Sequence, residues 1–109
     1  MSLAVTTDQA FDQDVLHSAR PVLVEFTADW CGPCRMVAPT LEKISLDEAD
    51  RLKVVVLDVD ANPQTALRYE VLGMPTMALF SGGEMVARMM GARSRSAIMR
   101  EVEPHLAPQ

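Results

Sequence analysis

Two cysteines, Cys31 and Cys34, lie three positions apart in the run Trp30-Cys31-Gly32-Pro33-Cys34, and the chain has no others. At this spacing the two thiols can close a small disulfide ring without help from the rest of the fold. Such a ring removes little disorder from the unfolded chain, about 2 kcal/mol in the loop-entropy account. A structural crosslink is the alternative, but the spacing favours a dithiol whose work is to open and close.

The residues around the pair predict a strand before it and a helix after it. Residues 21–27 are nearly all apolar, which is typical of a strand buried on both faces. Apolar residues recur at helical spacing from Val37 to Ile44. We therefore expect Cys31 at or next to a helix N-terminus and Cys34 in the first turn.

A helix N-terminus would make Cys31 the reactive sulfur. It carries about half a positive charge, and its first amide groups have no partner inside the helix. Both effects lower the pKa of a cysteine, and the thiolate is the nucleophile. Cys31 is expected to attack, and Cys34, which points inward, to resolve the mixed disulfide. Gly32 allows a partner's backbone to approach closely, and Pro33 restricts the turn.

A zinc site is another use of such a cysteine pair, which can supply half of the ligands. The sequence has no second pair, and its two histidines, His17 and His105, lie near opposite ends of the chain. The sequence therefore favours redox chemistry over zinc binding.

Glu25 is a further candidate, because it interrupts the apolar strand six positions before Cys31. Burying an unpaired carboxylate is costly, so its pKa should rise. A carboxyl group with a raised pKa suits a general base. An outward-facing glutamate on a half-exposed strand is the alternative interpretation.

The remaining pattern predicts strands that alternate with helices. Strands are expected at 3–5, 21–27, 53–59, 77–80 and 84–90, the last two joined by a hairpin turn. Helices are expected at 8–18, 34–49 and 63–69 and after Ser94, with Thr7 and Ser94 as caps and a bend at Pro39. This order predicts an α/β fold in which a central mixed five-stranded sheet is flanked by four helices.

Composition favours a single domain over residues 1–109. The net charge is −5, from ten basic and fifteen acidic side chains, which argues against nucleic-acid binding. No apolar run approaches membrane-spanning length, and the first residues lack the pattern of a signal peptide. We therefore expect a cytoplasmic protein, in a compartment that keeps thiols reduced, with no membrane or nucleic-acid partner.

The chain resembles the thioredoxin family from about Val5 to Leu106. The run from Trp30 to Cys34 has the family's form, and further matches follow in the family's order. These matches are Asp58-Val59-Asp60, Asn62-Pro63, Gly73-Met74-Pro75-Thr76 and Gly91-Ala92. Several spaced motifs make this resemblance far more specific than a lone cysteine pair.

The resemblance implies the thioredoxin fold and a protein disulfide reductase and electron carrier. By resemblance, Cys31 attacks a target disulfide, Glu25 takes the proton of Cys34, and Cys34 releases the reduced target. A flavoprotein thioredoxin reductase that uses NADPH would then reduce the Cys31–Cys34 disulfide. Disulfide-containing proteins are the implied substrates, and we expect a monomer with no bound cofactor or metal beyond this redox-active disulfide.

The family pattern also implies the surroundings of the cysteines. Pro75 would be a cis proline that faces the pair and leaves the backbone of Met74 free for an extended partner strand. Asp60 would hold the indole N–H of Trp30, with a solvated loop acid as the alternative. The expected substrate-binding residues are Trp30, Asp60, Gly73, Met74, Thr76, Gly91 and Ala92.

Three positions depart from the family pattern. Glu25 stands where thioredoxins usually carry aspartate, and Thr27 where many have a second tryptophan. Val56 stands where many have a lysine opposite the acid, and Lys53 is close in sequence but out of register. Without that cation Glu25 has less reason to ionise, so we expect it to titrate well above about 4.3, the ordinary value for glutamate.

Two other function classes stay open. Disulfide oxidants and isomerases usually carry a histidine between the cysteines, which makes the pair more oxidising, and Gly32-Pro33 lacks it. A thioredoxin-like subunit that only stabilises a larger enzyme would keep its function when Cys31 is replaced by serine.

Overall fold

A computed structural model describes residues 3–109, so Met1 and Ser2 lie outside the described part of the chain. The five strands are Ala4–Val5 (β1), Val22–Thr27 (β2), Lys53–Asp58 (β3), Thr76–Ser81 (β4) and Glu84–Met90 (β5). The four helices are Asp12–Leu16 (α1), Gly32–Asp47 (α2), Pro63–Arg68 (α3) and Arg95–Val102 (α4), followed by a 3-10 turn at Glu103–His105. Most predicted bounds are confirmed to within about two residues.

The sheet has the strand order β1-β3-β2-β4-β5. The first three strands in this order are parallel, and β4 and β5 run antiparallel to their neighbours. β2 therefore lies at the centre, hydrogen-bonded on both sides, and its residues from Val22 to Phe26 are all buried. The predicted mixed five-stranded sheet with four helices is confirmed.

Side chains of β2 alternate between two apolar cores because successive residues of a strand point to opposite faces. Leu23 packs with α2 and α4 residues such as Leu41 and Ile98. Val24 and Phe26 pack on the other face, with Phe11 and Val15 from the first helical segment. Glu25 shares its face with Leu23, so the same alternation directs its carboxyl group toward α2.

The first helix is shorter than the predicted 8–18, since α1 spans only Asp12–Leu16 and its end is closed by a π-type bond from the His17 N–H to the Asp12 carbonyl. Thr7 does accept a cap-like hydrogen bond, from the Ala10 N–H at 3.1 Å. Asp8 does not join this helix, because its N–H donates to Asn62 Oδ1 at 2.9 Å. This long-range contact accompanies a turn, and not a helix, at residues 8–10.

The carboxylate of Asp8 caps α3 from outside the helix. It accepts hydrogen bonds from the N–H groups of Gln64 (3.1 Å) and Thr65 (2.9 Å) and from the Thr65 hydroxyl (2.7 Å). The first N–H groups of a helix lack partners within the helix, so this contact satisfies them. It ties the N-terminal segment to the chain that follows β3.

The hairpin between β4 and β5 turns at Gly82 and Gly83, both with positive φ (62° and 85°). Glycine adopts this region without a steric cost, and two such residues favour the hairpin turn. A β-bulge between Leu79 and Phe80 then shifts the register by one residue. As a result Thr76 pairs with Met90, and Gly91 follows directly beside the loop before β4.

The last helix begins as the sequence predicts, because Ser94 Oγ accepts from the Ala97 N–H at 3.2 Å. Ile98 and Val102 are buried, and Leu106 packs at the edge of the same core. Of the helices described within residues 3–109, none is both long and apolar enough to cross a membrane.

Replacing Asp8 by alanine should destabilise the fold, because it removes the three hydrogen bonds that cap α3. We expect the free energy of unfolding to fall by about 1–2 kcal/mol. Urea unfolding followed by circular dichroism measures this, with Gln9→Ala at the exposed neighbouring position as the control. Equal stability of the two variants would contradict the capping role.

Candidate active site

Cys31 and Cys34 form a disulfide at the N-terminus of α2, with Cα atoms 5.3 Å apart. Cys31 is the residue that caps the helix, with extended backbone angles (φ −88°, ψ 104°). Its Sγ accepts a hydrogen bond from the Cys34 N–H at 3.2 Å. Pro33 lies in the first turn, where its missing N–H would have had no partner in any case. The predicted placement of both cysteines is confirmed.

The two cysteines are equally buried in this oxidised form, each with 3% of its surface exposed. The exposed fraction therefore does not distinguish the two sulfurs, but their surroundings differ. Cys31 caps the helix with its sulfur. Cys34 lines a cleft of about 340 Å³, and Glu25 lines the same cleft.

Glu25 is 2% exposed, so the outward-facing alternative is wrong. It pairs with Val56 of β3 and Met77 of β4, and neither neighbour offers its side chain a polar partner. Its Oε2 is buried and has no hydrogen-bond partner. Burial raises the pKa of this carboxyl group to about 7, because the charged form loses its hydration. The direction agrees with the expectation from the sequence.

The cation that many thioredoxins place opposite the acid is not supplied by Lys53. Its Nζ donates to the Asp14 carbonyl at 3.1 Å, on the other side of β3 from the cleft. Lys53 pairs with Val22, three positions before Glu25, which confirms that it is out of register.

The Met74–Pro75 peptide bond is cis, which confirms the isomer that the resemblance implies. The Thr76 hydroxyl donates to the Gly73 carbonyl at 2.6 Å and closes this loop. Gly91, with φ 96°, donates its N–H to the Pro75 carbonyl at 2.8 Å. Thr76 is fully buried, so its side chain holds the loop in shape. The expectation from the sequence that Thr76 contacts a substrate is therefore wrong.

Trp30 is 66% exposed, and its indole N–H donates to Asp60 Oδ2 at 2.8 Å. Asp60 is positioned in turn by a hydrogen bond from its N–H to Asp58 Oδ1 at 2.9 Å. The predicted contact between Trp30 and Asp60 is confirmed, and the acid does more than face solvent.

Comparison with known proteins identifies the same family that the sequence motifs resemble. A family model described as Thioredoxin matches residues 2–104. The chain belongs to the thioredoxin family. It is 51% identical over 96 residues to a thioredoxin of Mycobacterium tuberculosis (strain ATCC 25618 / H37Rv), covering 88% of this chain and 83% of the relative. It is 50% identical over 102 residues to a thioredoxin of Mycolicibacterium smegmatis, covering 92% and 91%.

A third relative carries two activities in its name. It is the bifunctional thioredoxin reductase/thioredoxin of Mycobacterium leprae, 50% identical over 96 residues. The match covers 88% of this chain and 21% of that protein.

Membership of the thioredoxin family makes the protein a thiol–disulfide oxidoreductase that works by dithiol–disulfide exchange. Its redox group is its own Cys31–Cys34 disulfide, and the family's partners are a reductase and disulfide-containing proteins. Within residues 3–109, no three or more His, Cys, Asp or Glu side chains are grouped so as to hold a metal ion.

Met90 is a residue near the site that the sequence analysis missed. It is 61% exposed at the end of β5, and its Sδ lies 3.0 Å from where a Cβ of Gly73 would be. Methionine fills irregular space and adapts its shape, so Met90 extends the apolar surface beside the cis-proline loop. Only the register of the bulged hairpin could have revealed it.

The raised pKa of Glu25 should make the oxidised protein lose stability as pH rises from about 4.5 to 7. A carboxyl group that is harder to ionise when folded stabilises the fold below its unfolded pKa and loses that contribution through its folded pKa. The loss attributable to Glu25 should be at most about 3 kcal/mol. Glu25→Gln should lack this fall, and urea unfolding at pH 4 to 8.5 measures it. Parallel pH profiles for the two proteins would contradict the raised pKa.

Proposed function

We propose that the protein reduces protein disulfides with Cys31 as the attacking nucleophile and Cys34 as the resolving cysteine. The observation that carries this assignment is the difference between the two sulfurs. Cys31 Sγ caps α2 and accepts the Cys34 N–H, whereas Cys34 shares a cleft with the buried carboxyl of Glu25. Helix N-terminal amides and dipole favour the thiolate, so Cys31 is the sulfur that ionises first.

The first exchange begins from the reduced dithiol. The Cys31 thiolate attacks one sulfur of the target disulfide, so that a new sulfur–sulfur bond forms as the target bond breaks. The leaving target sulfur takes the electron pair and then a proton from solvent. The product is a mixed disulfide between Cys31 and the target.

The second exchange needs a base, because Cys34 is a thiol buried in the protein. Glu25, ionised above its pKa of about 7, accepts the Cys34 proton directly or through a water in the cleft. The Cys34 thiolate attacks Cys31 Sγ, and the mixed disulfide breaks. The target sulfur leaves with the electron pair and takes a proton from protonated Glu25 or from solvent, which gives the second thiol of the target. The target gains two electrons, and Cys31 and Cys34 lose two as they form their disulfide.

A target segment would bind on the surface around Cys31. Met74 is half-buried in the loop before β4, and by family resemblance its backbone pairs with an extended target segment. Trp30, Gly73, Gly91 and Ala92 are at least partly exposed around it, with Gly32 and Pro33 at the start of α2. Such a surface makes few side-chain demands, so many disulfide segments fit.

The electron donor in this proposal is a flavoprotein thioredoxin reductase that uses NADPH. The relative from Mycobacterium leprae supports a reductase partner, since its name joins both activities in one chain. We further propose that residues 1–109 form one domain, that it acts as a monomer, and that it works in the cytoplasm, where the reduced dithiol is maintained.

Serine variants of the two cysteines should behave differently. Cys31→Ser should abolish the reduction of insulin disulfides, because the nucleophile is lost. Cys34→Ser should still attack but should stop at the mixed disulfide, which non-reducing gels and mass spectrometry detect. Trapping by Cys31→Ser in place of Cys34→Ser would reverse the assignment, and full activity of Cys31→Ser would indicate a non-catalytic subunit.

Glu25→Gln should slow the resolution of a mixed disulfide by about 100-fold at pH 7, since the general base is lost. The deficit should shrink as pH approaches about 8.5, where an ordinary thiol ionises unaided. Stopped-flow Trp30 fluorescence follows the step, with Glu25→Asp as the variant that keeps a carboxyl group. A uniform deficit at every pH would mean that the substitution acts through the fold and not through proton transfer.

A further inference from the structure

The cleft that Glu25 and Cys34 share combines a volume suited to a small ligand with a buried carboxyl group that has no partner. Its volume is about 340 Å³, several times that of a small organic molecule with four or five heavy atoms, and it opens to solvent. Glu25 is 2% exposed and lines it, and Oε2 has no hydrogen-bond partner. A buried carboxyl group is normally paired, so this one lacks a counterpart.

The walls of the cleft are mostly apolar. Leu3 and Val5 from the N-terminal edge, Val56 from β3 and Ala38 from α2 line it. Val56 lies directly opposite Glu25 in a parallel pair and lines the cleft with it, so the neighbour of the carboxyl group across the sheet is apolar. These surfaces suit a short hydrocarbon stem and cannot pair with a charge.

The charged groups that line the cleft are Glu25, Asp29, Arg35 and Glu42. The strands β1 and β3 contribute only apolar lining residues, Val5 and Val56. The Arg35 guanidinium donates to the backbone carbonyl of Asp29, so it has a partner in the loop. Asp29 is exposed and Glu42 is half-buried, which leaves an excess of negative charge.

We propose that this cleft binds a short alkylammonium group, whose stem contacts the apolar walls and whose charge pairs with Glu25. Either the side chain of a lysine on a docked protein or a free alkylamine carries this chemistry. The cleft is lined by Cys34 but by none of the residues that the proposed function places on the target-binding surface around Cys31. A bound cation would favour the ionised form of Glu25, so its binding and the proton affinity of Glu25 are linked.

The test is a ¹³C NMR titration of the Glu25 carboxyl group in the oxidised protein, with n-butylammonium as the probe and n-butanol as its neutral counterpart. A ligand that binds only ionised Glu25 lowers its pKa by about one unit at ten times the dissociation constant. With Glu25 at about 7, butylammonium should bind about 30-fold more tightly at pH 8.5 than at pH 5.5. Butanol should show no such pH dependence.

Two variants serve as controls. Glu25→Gln should remove the pH dependence of butylammonium binding, which shifts of the Val5 and Val56 methyl signals report. Val56→Lys should place an ammonium group of the chain itself beside Glu25, lower its pKa and exclude butylammonium. Equal shifts of the Glu25 pKa by butylammonium and butanol, or unchanged butylammonium binding in Glu25→Gln, would overturn the proposal.

A second pair of probes separates the two sources of the cation. N-acetyl-lysine N-methylamide should act like butylammonium if a lysine on a protein chain can enter, with N-acetyl-norleucine N-methylamide as its neutral counterpart. An effect of butylammonium alone would assign the cleft to free amines. These binding measurements do not depend on catalysis. If butylammonium does not bind, the proposed role of Glu25 as a base is unaffected, because the resolution rate of Glu25→Gln tests that role separately.

Discussion

A carboxyl group without a partner, held in the central strand of the sheet, is the constraint on which the active site depends. β2 is hydrogen-bonded on both sides and buried from Val22 to Phe26, so Glu25 cannot turn its side chain to solvent. The strand's alternation directs it toward α2, where Cys34 lies in the first turn. Burial removes the hydration of the carboxylate and raises the pKa of Glu25 to about 7. A general base works best when its pKa lies near the working pH.

The N-terminus of α2 supplies the complementary effect on the other sulfur. Cys31 caps the helix and receives the Cys34 N–H, which stabilises negative charge on its sulfur once the disulfide opens. One short ring therefore joins two sulfurs with different surroundings, although both are equally buried when oxidised. The two sulfurs differ in their neighbours. Cys31 Sγ accepts the backbone N–H of Cys34, and Cys34 lines the cleft with the carboxyl group of Glu25.

The partner-facing side of the site is assembled by contacts between segments that are distant in sequence. The cis peptide at Pro75 is supported by the Thr76 hydroxyl and by the Gly91 N–H, and Trp30 is held by Asp60. Asp8 caps α3, the helix that follows the turn with Asp60, so the first segment of the chain stabilises that region as well. Each of these contacts fixes the position of a segment that lies near Cys31 or next to such a segment.

Much of the site was readable from the sequence because its signals are local. The strand before the cysteines, the helix after them, the cap at Ser94 and the burial of Glu25 follow from short-range periodicity and from residue types. Such features depend on residues within a few positions, so the local sequence is enough to predict them. The cis proline and the Trp30–Asp60 contact were predicted through family resemblance, which carries long-range information that spacing does not.

The tertiary structure alone decided the features that depend on register and on distant partners. The bulge in the hairpin buries Met89 and brings Met90 to Gly73, and a shift of one residue would have exchanged their faces. The helix predicted at 8–18 is reduced to Asp12–Leu16 because Asp8 is drawn to α3, more than fifty positions away. The cleft beside Glu25 is lined by residues of four separate segments, among them Val5, Val56 and Ala38, which only the folded chain brings together. The amino-acid sequence determined which groups have chemistry to perform, and packing between distant segments determined which of them meet.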